Sequence, residues 1–330
     1  MAFFWTEFID MKKIIDKWEY GMKGNGDFFL NPPKDKRKEL QETLFKYYDL
    51  SKNSIDALKE KKFYASYPEI LNDPFDTAYE FINFHQEYAI DLIGQEVIGE
   101  KSLSEHDLMT YAKKFFKLNI YSRLGILCLT ENAENYLMWS YYNNHGGFCI
   151  EFNYNKFDFS YQGPFQIRYE NEIEPFELTK AEDYPVAALY QSTLKSKVWE
   201  HENEWRILAE CSEMDRMELP QVQIVQKVDS MKGKRFFSWG KSVKRIILGC
   251  RFFDWENEVK SKDDFYLVKL HVKNKEKICV IESIISNKYD VWICKKAVGY
   301  FGLNLYRIKI LNFDHEQEML AFSLTGEIIN

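Results

Sequence analysis

The chain has 330 residues, 45% hydrophobic and 29% charged, a composition that is typical of folded globular proteins and excludes collagen-like or linker-rich chains. The formal charge of −7 argues against a protein that coats nucleic acid non-specifically. Aromatic residues make up 17% of the chain, which favours a β-rich core or a site that stacks a flat ligand.

Neither a targeting signal nor a membrane span is expected. Glu7 and Asp10 interrupt the apolar N-terminal stretch, and the chain contains no run of eighteen apolar residues. The 6 cysteines are scattered without a CxxC spacing, which predicts reduced thiols in a cytoplasmic protein. The histidines form no HxxxH or HExxH pattern, so the sequence predicts no bound metal.

Apolar residues recur at helical spacing near the N-terminus, at Phe4, Phe8, Met11, Ile15 and Trp18. This pattern predicts an amphipathic helix over residues 4–20, and the glycines and prolines that follow predict its end. Residues 1–43 are therefore expected to form an N-terminal helical appendage. The appendage either packs on the main domain or docks a partner protein.

Residues 44–330 are expected to form a single domain. Strand-like and helix-like segments mix without strict βαβ alternation, which is typical of the α+β class. The apolar run LGILCLT at 124–130 is the clearest strand. Residues 76–122 are predicted to be a mostly helical insertion, and residues from about 270 to 330 a C-terminal extension.

The string NDPFD at 72–76 carries two carboxylates. Asp73 before a proline favours a helix N-cap, and Asp76 three residues later fits a capping box. The alternative is a divalent-metal site, in which Asp73, Asp76 and Glu80 serve a nuclease-type hydrolase.

The string LMWSYYNNHGGF combines a short aromatic helix with a glycine stop before a strand. Core packing accounts for this pattern, and so does the wall of a binding pocket. In the second interpretation Trp139, Tyr141 or Tyr142 stacks on a nicotinamide or a nucleobase. His145 is a candidate ligand contact, with a structural role at the helix end as its alternative.

The string WEHENEWR at 199–206 holds two neighbouring glutamates and an arginine. If residues 202–206 are extended, Glu202, Glu204 and Arg206 share one face of a strand. Arg206 then either neutralises the carboxylates or leaves them free for chemistry. A carboxylate near an anomeric carbon stabilises an oxocarbenium-like transition state, and a second carboxylate orients or deprotonates the attacking group.

The segment Lys227–Arg251 is strongly basic, with eight Lys or Arg, one acidic residue and aromatic residues between them. Such a composition is typical of a surface for single-stranded nucleic acid. The alternative is a solvated strand edge that lysines protect from pairing with another chain.

In their joint order these strings resemble a bacterial domain family of unknown function whose hallmarks are NDPFD and MWSxY. The resemblance covers residues 45–250 or so. Beyond the strings above it rests on Lys46-Tyr47, Tyr64-x-Ser66, Cys128-Leu129-Thr130 and Cys149-Ile150-Glu151-Phe152.

A looser resemblance, to the ADP-ribosyltransferase superfamily, implies a chemistry. It rests on a first strand with Lys46 and Tyr47, a second strand that ends in Ser66, and a late strand with an ExE pattern. The resemblance implies a mixed or antiparallel split-sheet core, NAD as substrate, Glu204 or Glu202 as the catalytic carboxylate, and Ser66 as its support. It assigns contacts with NAD to Lys46, Tyr47, Trp139, Tyr141, Tyr142, His145 and Arg206.

Three functions compete on these grounds. The first is an NAD-dependent ADP-ribosyltransferase, a bacterial toxin or phage-defence effector that modifies nucleic acid or protein and that an antitoxin meets at the N-terminal helix. The second is a non-catalytic nucleotide- or partner-binding module of a defence system, in which Arg206 pairs with both glutamates and no pocket exists. The third is the metal-dependent nuclease.

Overall fold

Helices and strands alternate irregularly along the part of the chain that the computed structural model describes, residues 10–66, 68, 71–93, 104–210, 236–257, 259–262, 265–270 and 274–325. The helices are α1 (Lys52–Glu60), α2 (Gln86–Ile93), α3 (Glu105–Arg123), α4 (Tyr136–Asn143), α5 (Tyr184–Ser192) and α6 (Lys275–Asn287). The strands are β1 (Met11–Ile15), β2 (Trp18–Met22), β3 (Phe28–Asn31), β4 (Leu44–Tyr48), β5 (Lys62–Tyr64), β6 (Ile82–Phe84), β7 (Leu124–Thr130), β8 (Phe148–Phe152), β9 (Tyr161–Gln166), β10 (Arg168–Glu170), β11 (Phe176–Leu178), β12 (Leu194–Ser196), β13 (Glu204–Glu210), β14 (Phe236–Ser238), β15 (Val243–Leu248), β16 (Val259–Lys262), β17 (Phe265–Lys269), β18 (Asp290–Lys296), β19 (Leu303–Asp314) and β20 (Met319–Thr325). The α+β class is confirmed.

One large mixed sheet organises the chain. Its 11 strands lie in the order β16-β17-β20-β19-β18-β15-β8-β4-β7-β13-β9. The pair β15–β18 is parallel, and its neighbours β15–β8 and β18–β19 are antiparallel, as is the β4–β8 pair. Strands β18 to β20 belong to the predicted C-terminal extension, and they continue this sheet.

The N-terminal prediction was wrong over the described residues: 11–31 form a three-stranded antiparallel sheet instead of a helix. Asp16 and Lys17 both have positive φ, 48° and 70°, and they make a two-residue turn that pairs Ile15 with Trp18. Beyond the turn, alternate side chains of β2 are buried, so the apolar positions follow a period of two. Phe4 and Phe8 lie outside the described residues.

This small sheet packs on the body of the protein through Arg168. The buried guanidinium makes an ion pair with Asp16, donates to the carbonyl of Ile15 and lies 5.8 Å from the ring centroid of Trp18. Tyr20, which is also buried, meets Tyr190 of α5 edge to face at 5.0 Å. These contacts agree with an appendage that packs on the main domain, although its secondary structure is different from the one predicted.

The predicted helical insertion at 76–122 is helical only in part. Helices α2 and α3 account for its later residues, whereas 79–84 form a short 3₁₀ turn and strand β6. Strand β6 pairs in parallel with β11, which lies about ninety residues further along the chain. None of the described helices combines the length and apolar character needed to cross a bilayer.

The core is divided by the main sheet. Along β7, Leu127 and Leu129 contribute to one apolar cluster, whereas Ile126 and Cys128 face a second cluster, because successive side chains of a strand point to opposite faces. The described cysteines are free thiols, and Cys149 and Cys294 are buried. The face of β7 that carries Cys128 is the one on which the candidate site is built.

Candidate functional site

A small pocket opens between strands β4 and β7, helix α4 and the start of β13. Its volume is about 70 Å³, and its lining includes Lys46, Tyr47, Tyr142, Glu202 and Glu204. The structure therefore brings together five of the residues that the sequence singled out. Tyr47 is fixed as a wall of the pocket, because its hydroxyl donates to the carbonyl of Asn132 at 2.8 Å.

The glutamates reach the pocket by a local geometry different from the predicted strand. Residues 197–202 form a 3₁₀ turn, Asn203 is left-handed with φ of 46°, and β13 begins only at Glu204. Glu204 and Arg206 share a strand face as predicted, but Glu202 arrives from the turn. The hydroxyl of Thr130 donates to the carbonyl of Glu202 at 2.6 Å and so fixes this turn against β7.

Arg206 is fully buried beneath the pocket and binds two carboxylates. Its Nη1 and Nη2 donate to the two oxygens of Asp76 at 2.8 and 2.5 Å, and its Nε donates to Glu204 Oε1 at 2.7 Å. A planar guanidinium fits two carboxylates in this way because its donors form a rigid fork. In one alternative interpretation Arg206 pairs with both glutamates. The structure pairs Arg206 with Glu204 and Asp76, so that interpretation is wrong for Glu202.

Lys195 is the second buried cation of the site. Its Nζ donates to Glu204 Oε2 at 2.8 Å, pairs closely with Glu202 and lies 3.9 Å from Asp76. The cluster of three carboxylates, Asp76, Glu202 and Glu204, and two cations carries a net charge of −1 if all five groups are ionised. Such a buried cluster is stable only when every charge has partners, as is the case here.

Lys46 of β4 also lines the pocket. Its Nζ lies 3.4 Å from the carbonyl oxygen of Cys128, to which it donates. Burial lowers the pKa of the Lys46 ammonium, because a charged group is disfavoured away from water, and the nearby Cys128 and Glu204 only partly oppose this effect. The pocket therefore has a carboxylate side and an amine side.

The two glutamates have different electrostatic states. Burial disfavours ionisation of Glu204, but Arg206 and Lys195 outweigh it and hold the pKa of this carboxyl well below its usual range. For Glu202 burial prevails, with the charge of Glu204 adding to it, so its pKa is raised above 4.5 despite Lys195. Glu204 is thus ionised at neutral pH, whereas Glu202 takes up a proton at a higher pH than an ordinary glutamate does.

Tyr142 joins Glu202 to the NDPFD loop. Its hydroxyl donates to Glu202 Oε1 at 2.8 Å and accepts from Asn72 Nδ2 at 3.3 Å. Asp73 accepts from the backbone N–H of Phe75 at 3.0 Å in a local turn and from Trp199 Nε1 at 2.7 Å. The predicted helix cap is wrong, because no helix begins here and Asp76 turns inward to Arg206.

The remaining candidates lie outside the pocket lining. Trp139 is fully buried, and its Nε1 donates to the carbonyl of Ala133 at 2.7 Å, so it belongs to the core. Tyr141 is 63% exposed beside the pocket. His145 is the second residue after helix α4 and has φ of 60°, and burial together with nearby cations lowers its pKa.

Ser66 lies two residues beyond β5, which ends at Tyr64 and pairs with β14 outside the large sheet, so the predicted second strand does not end in Ser66. Ser66 forms a bridge with Ile126 of β7 through two backbone hydrogen bonds of 2.8 and 2.9 Å. This position is two residues along the strand from Cys128, which lines the pocket. Ser66 is thus near the strand that carries the site, and its predicted support of a glutamate stays a prediction.

Sequence reasoning missed Lys195 altogether and misjudged Asp76. Lys195 belongs to β12 and is buried, but lysines are rarely buried, and the local sequence TLKSK does not distinguish this one from an exposed lysine. The sequence offers no signal for which carboxylates such a cation meets. Asp76 was singled out, but its partner Arg206 lies 130 residues away.

The basic segment is only partly described, since residues 227–235 lie outside the described ranges. Within the rest, Lys244 binds Glu151 at 3.1 Å, and Arg245 pairs with the same carboxylate while its guanidinium lies 5.1 Å from the ring centroid of Trp292. Trp239 is fully buried in the core. The nucleic-acid contact of this segment stays a prediction.

Over the described ranges of the chain, no group of three or more His, Cys, Asp or Glu side chains is placed to hold a metal ion. The two aspartates of the nuclease hypothesis are instead bound to Trp199 and Arg206. Comparisons with protein-family models, curated proteins and solved structures found no match to this chain.

Proposed function

We propose that the protein is an ADP-ribosyltransferase that cleaves NAD and transfers its ADP-ribose to an acceptor. The observation that carries the proposal is the pocket lined by Glu202 and Glu204 together with Lys46, Tyr47 and Tyr142. The carboxylate side of the pocket, next to an aromatic wall, suits a substrate whose nicotinamide ring is cationic.

In this proposal Glu202 is the catalytic carboxylate and Glu204 is a positioning residue. Glu204 is held by three hydrogen bonds from Arg206 and Lys195, which leave it little capacity to bind a substrate. Glu202 has one oxygen on Lys195 and the other on the hydroxyl of Tyr142. A ribose hydroxyl of the substrate takes the place of the tyrosine hydroxyl on Glu202.

The reaction breaks the bond between C1′ of the ribose and the nitrogen of nicotinamide. The electron pair of that bond leaves with the ring, which becomes neutral nicotinamide, and the ribose acquires oxocarbenium character. The negative charge of Glu202 stabilises this transition state. A hydroxyl or amine of the acceptor then bonds to C1′, and its proton passes to Glu202, whose raised pKa suits a general base.

The topology around the pocket supports an ADP-ribosyltransferase-like core, which is part of the proposal. Strand β4 carries Lys46 and Tyr47, strand β13 carries Glu204, and both pair with β7 between them. The first and the late strands of the resemblance are thus one strand apart. In the same proposal the protein is a toxin or phage-defence effector.

The test is incubation of the full-length protein with NAD labelled in its adenylate half, with cell lysate as the source of acceptors. We expect free nicotinamide and label on macromolecules, and treatment with nuclease or protease then names the class of acceptor. Glu202→Gln lowers the rate by about 10²–10⁴-fold, because its amide neither stabilises the cation nor accepts the proton.

Glu200→Gln is the matched control, since Glu200 is an exposed carboxylate of the same turn and its loss leaves the rate unchanged. A folded Glu202→Gln variant that releases nicotinamide at the wild-type rate contradicts the proposal. Thermal unfolding of each variant shows whether the fold is intact.

A non-catalytic nucleotide-binding module is the second candidate function. The observation in its favour is that Lys195 and Arg206 neutralise most of the buried carboxylate charge. This function predicts that NAD binds to the protein, measured by calorimetry, and is recovered intact after incubation with every acceptor pool. Release of nicotinamide excludes it.

A further inference from the structure

Three aromatic rings stand together beside the pocket: Tyr141 of α4, and Trp199 and His201 of the 197–202 turn. The ring centroids are 6.3 Å apart for Tyr141 and Trp199, 6.0 Å for Tyr141 and His201, and 6.0 Å for Trp199 and His201. Tyr141 is 63% exposed, so its ring is open to a ligand from solvent. These three residues are called the aromatic platform. The chemistry proposed for the pocket uses none of them.

The platform adjoins the charged cluster of the pocket. The Nζ of Lys195, which binds both glutamates, lies 5.3 Å from the ring centroid of Trp199. Tyr141 directly precedes Tyr142, whose hydroxyl donates to Glu202. A substrate with its reacting carbon at Glu202 therefore has the platform within reach of its other end.

Two rings of the platform, those of Trp199 and His201, are held in place before any ligand arrives. Trp199 Nε1 donates to Asp73 Oδ2 at 2.7 Å, and the ring nitrogen Nδ1 of His201 lies 3.0 Å from the carbonyl of Val198. Asn135 Nδ2 donates to the carbonyl of His201 at 2.5 Å. Rings that are already fixed lose little side-chain entropy when a ligand stacks on them.

The size of the pocket decides what lies on the platform. A volume of about 70 Å³ accommodates a small part of a ligand, whereas sites that enclose a whole drug-sized molecule have about 300–1,000 Å³. A dinucleotide that places its reacting C1′ end at the pocket must leave its adenosine half outside. Exposed aromatic side chains are common platforms for bases, because every base has a π-face.

We infer that the aromatic platform stacks the adenine ring of NAD, an inference that rests on the proposed function. Tyr141 supplies the accessible ring, and Trp199 and His201 fix the orientation of the stack. Tyr141 thereby becomes a determinant of the preference for a dinucleotide over a mononucleotide.

The test compares NAD with nicotinamide mononucleotide, which has the same scissile bond but no adenosine. We expect Tyr141→Ala to raise the KM for NAD by about 5- to 150-fold, the range of one lost stacking contact, and to leave the KM for the mononucleotide unchanged. Tyr141→Phe keeps the ring and retains the wild-type KM. Tyr136→Ala is the control, because Tyr136 begins the same helix and is 49% exposed.

Equal changes for both substrates, or no change for either, overturn the inference while the proposed function stands. If the wild-type protein cleaves neither substrate, the proposed function fails, and calorimetry with adenosine monophosphate decides about the platform. Binding that Tyr141→Ala weakens and Tyr136→Ala preserves supports it, and absence of binding to the wild-type protein overturns it. If Tyr141→Ala weakens binding of an unstructured oligonucleotide but not of adenosine monophosphate, the platform serves the acceptor and the inference is also overturned.

Discussion

Arg206 and Asp76 form a buried, two-pronged ion pair between residues 130 positions apart, with Nη1 to Oδ1 at 2.8 Å and Nη2 to Oδ2 at 2.5 Å. The pair joins the NDPFD loop to strand β13. Because Asn72 of the same loop binds Tyr142, which in turn binds Glu202, the pair also determines where the carboxylate side of the pocket lies. The two strings that look unrelated in the sequence are therefore two halves of one site.

Asp76→Asn is expected to destabilise the protein strongly. The substitution removes one charge of the pair and leaves Arg206 buried with fewer charged partners, which typically costs about 3–5 kcal/mol of unfolding free energy. Urea unfolding measures the change. Glu80→Gln is the control, since Glu80 is an exposed carboxylate close to the same loop. Equal unfolding midpoints for the two variants contradict the assignment of a buried pair.

Glu204 makes the stability of the protein depend on pH in the acid range. The ordinary value for a glutamate is 4.5, and the folded-state pKa lies well below it, because Arg206 and Lys195 outweigh burial. Below pH 4.5 the unfolded chain binds a proton that the folded chain does not, so stability falls as pH falls towards the folded pKa. This contribution is fully present at neutral pH.

Glu204→Gln is therefore expected to unfold more readily at neutral pH and to lose less further stability on acidification than the wild-type protein. Urea unfolding at a series of pH values measures both effects. Glu200→Gln, which removes an exposed carboxyl from the neighbouring turn, keeps the wild-type dependence. If the unfolding free energies of Glu204→Gln and of the wild-type protein fall equally as the pH is lowered, the low pKa is not that of Glu204.

The apolar strands and the strings of the candidate site could be predicted from the sequence. The LGILCLT strand is correct because an apolar run that ends at Thr130 lies in an interior strand of the sheet, where most of its side chains are buried. The pocket residues were found because each string combines aromatic and ionisable side chains at short spacing. The sequence did not show which distant residues these side chains contact, such as Arg206 for Asp76.

Two errors have identifiable physical reasons. Met11, Ile15 and Trp18 fit a helical period, but a two-residue turn at Asp16 and Lys17 reverses the chain between them, and this turn lacks the glycine that usually marks such a hairpin. The extended geometry predicted for 202–206 failed because Asn203 adopts a left-handed conformation that ends a 3₁₀ turn. In both cases the decisive event is a left-handed backbone conformation at one or two residues.

Gly147 and Gly146 are expected to differ sharply as sites of substitution by alanine. A Cβ on Gly147 would lie 2.1 Å from the carbonyl oxygen of Tyr48, where β4 and β8 pair, whereas one on Gly146 meets nothing closer than 3.7 Å. Gly147→Ala should cost about 1–3 kcal/mol through strand displacement, and Gly146→Ala within about 0.5 kcal/mol. Urea unfolding of the two variants measures the contrast, and equal stabilities contradict the close approach of the strands.

The N-terminal sheet is expected to be part of the cooperative fold. Trp18 is 2% exposed, whereas Ile14 on the outer side of the same hairpin is 64% exposed. Trp18→Ala should lower the unfolding free energy by about 3–5 kcal/mol, and Ile14→Ala should change it by less than about 0.5 kcal/mol. Chemical unfolding followed by circular dichroism measures both. A Trp18→Ala variant with wild-type stability indicates that the hairpin folds separately from the body.

Tyr142→Phe is expected to shift the pH dependence of the proposed reaction. The tyrosine hydroxyl donates to Glu202 and favours its ionised form. Burial already raises the pKa of this carboxyl, and loss of the hydroxyl raises it further. The reaction needs ionised Glu202, and its rate therefore rises with pH through this pKa. The loss of one hydrogen bond should move the acid limb of kcat/KM to higher pH by roughly half to one pH unit.

Profiles of kcat/KM for NAD against pH test this prediction, with Tyr141→Phe as the control because the Tyr141 hydroxyl lies on the exposed side of the same helix end. Well above the acid limb the two variants should react at similar rates, since Glu202 is ionised in both. An acid limb that stays in place in Tyr142→Phe, or that moves equally in Tyr141→Phe, means that the titrating group is not Glu202. Disappearance of the limb in Glu202→Gln, together with its shift in Tyr142→Phe, identifies the pair as the unit that sets the pH dependence.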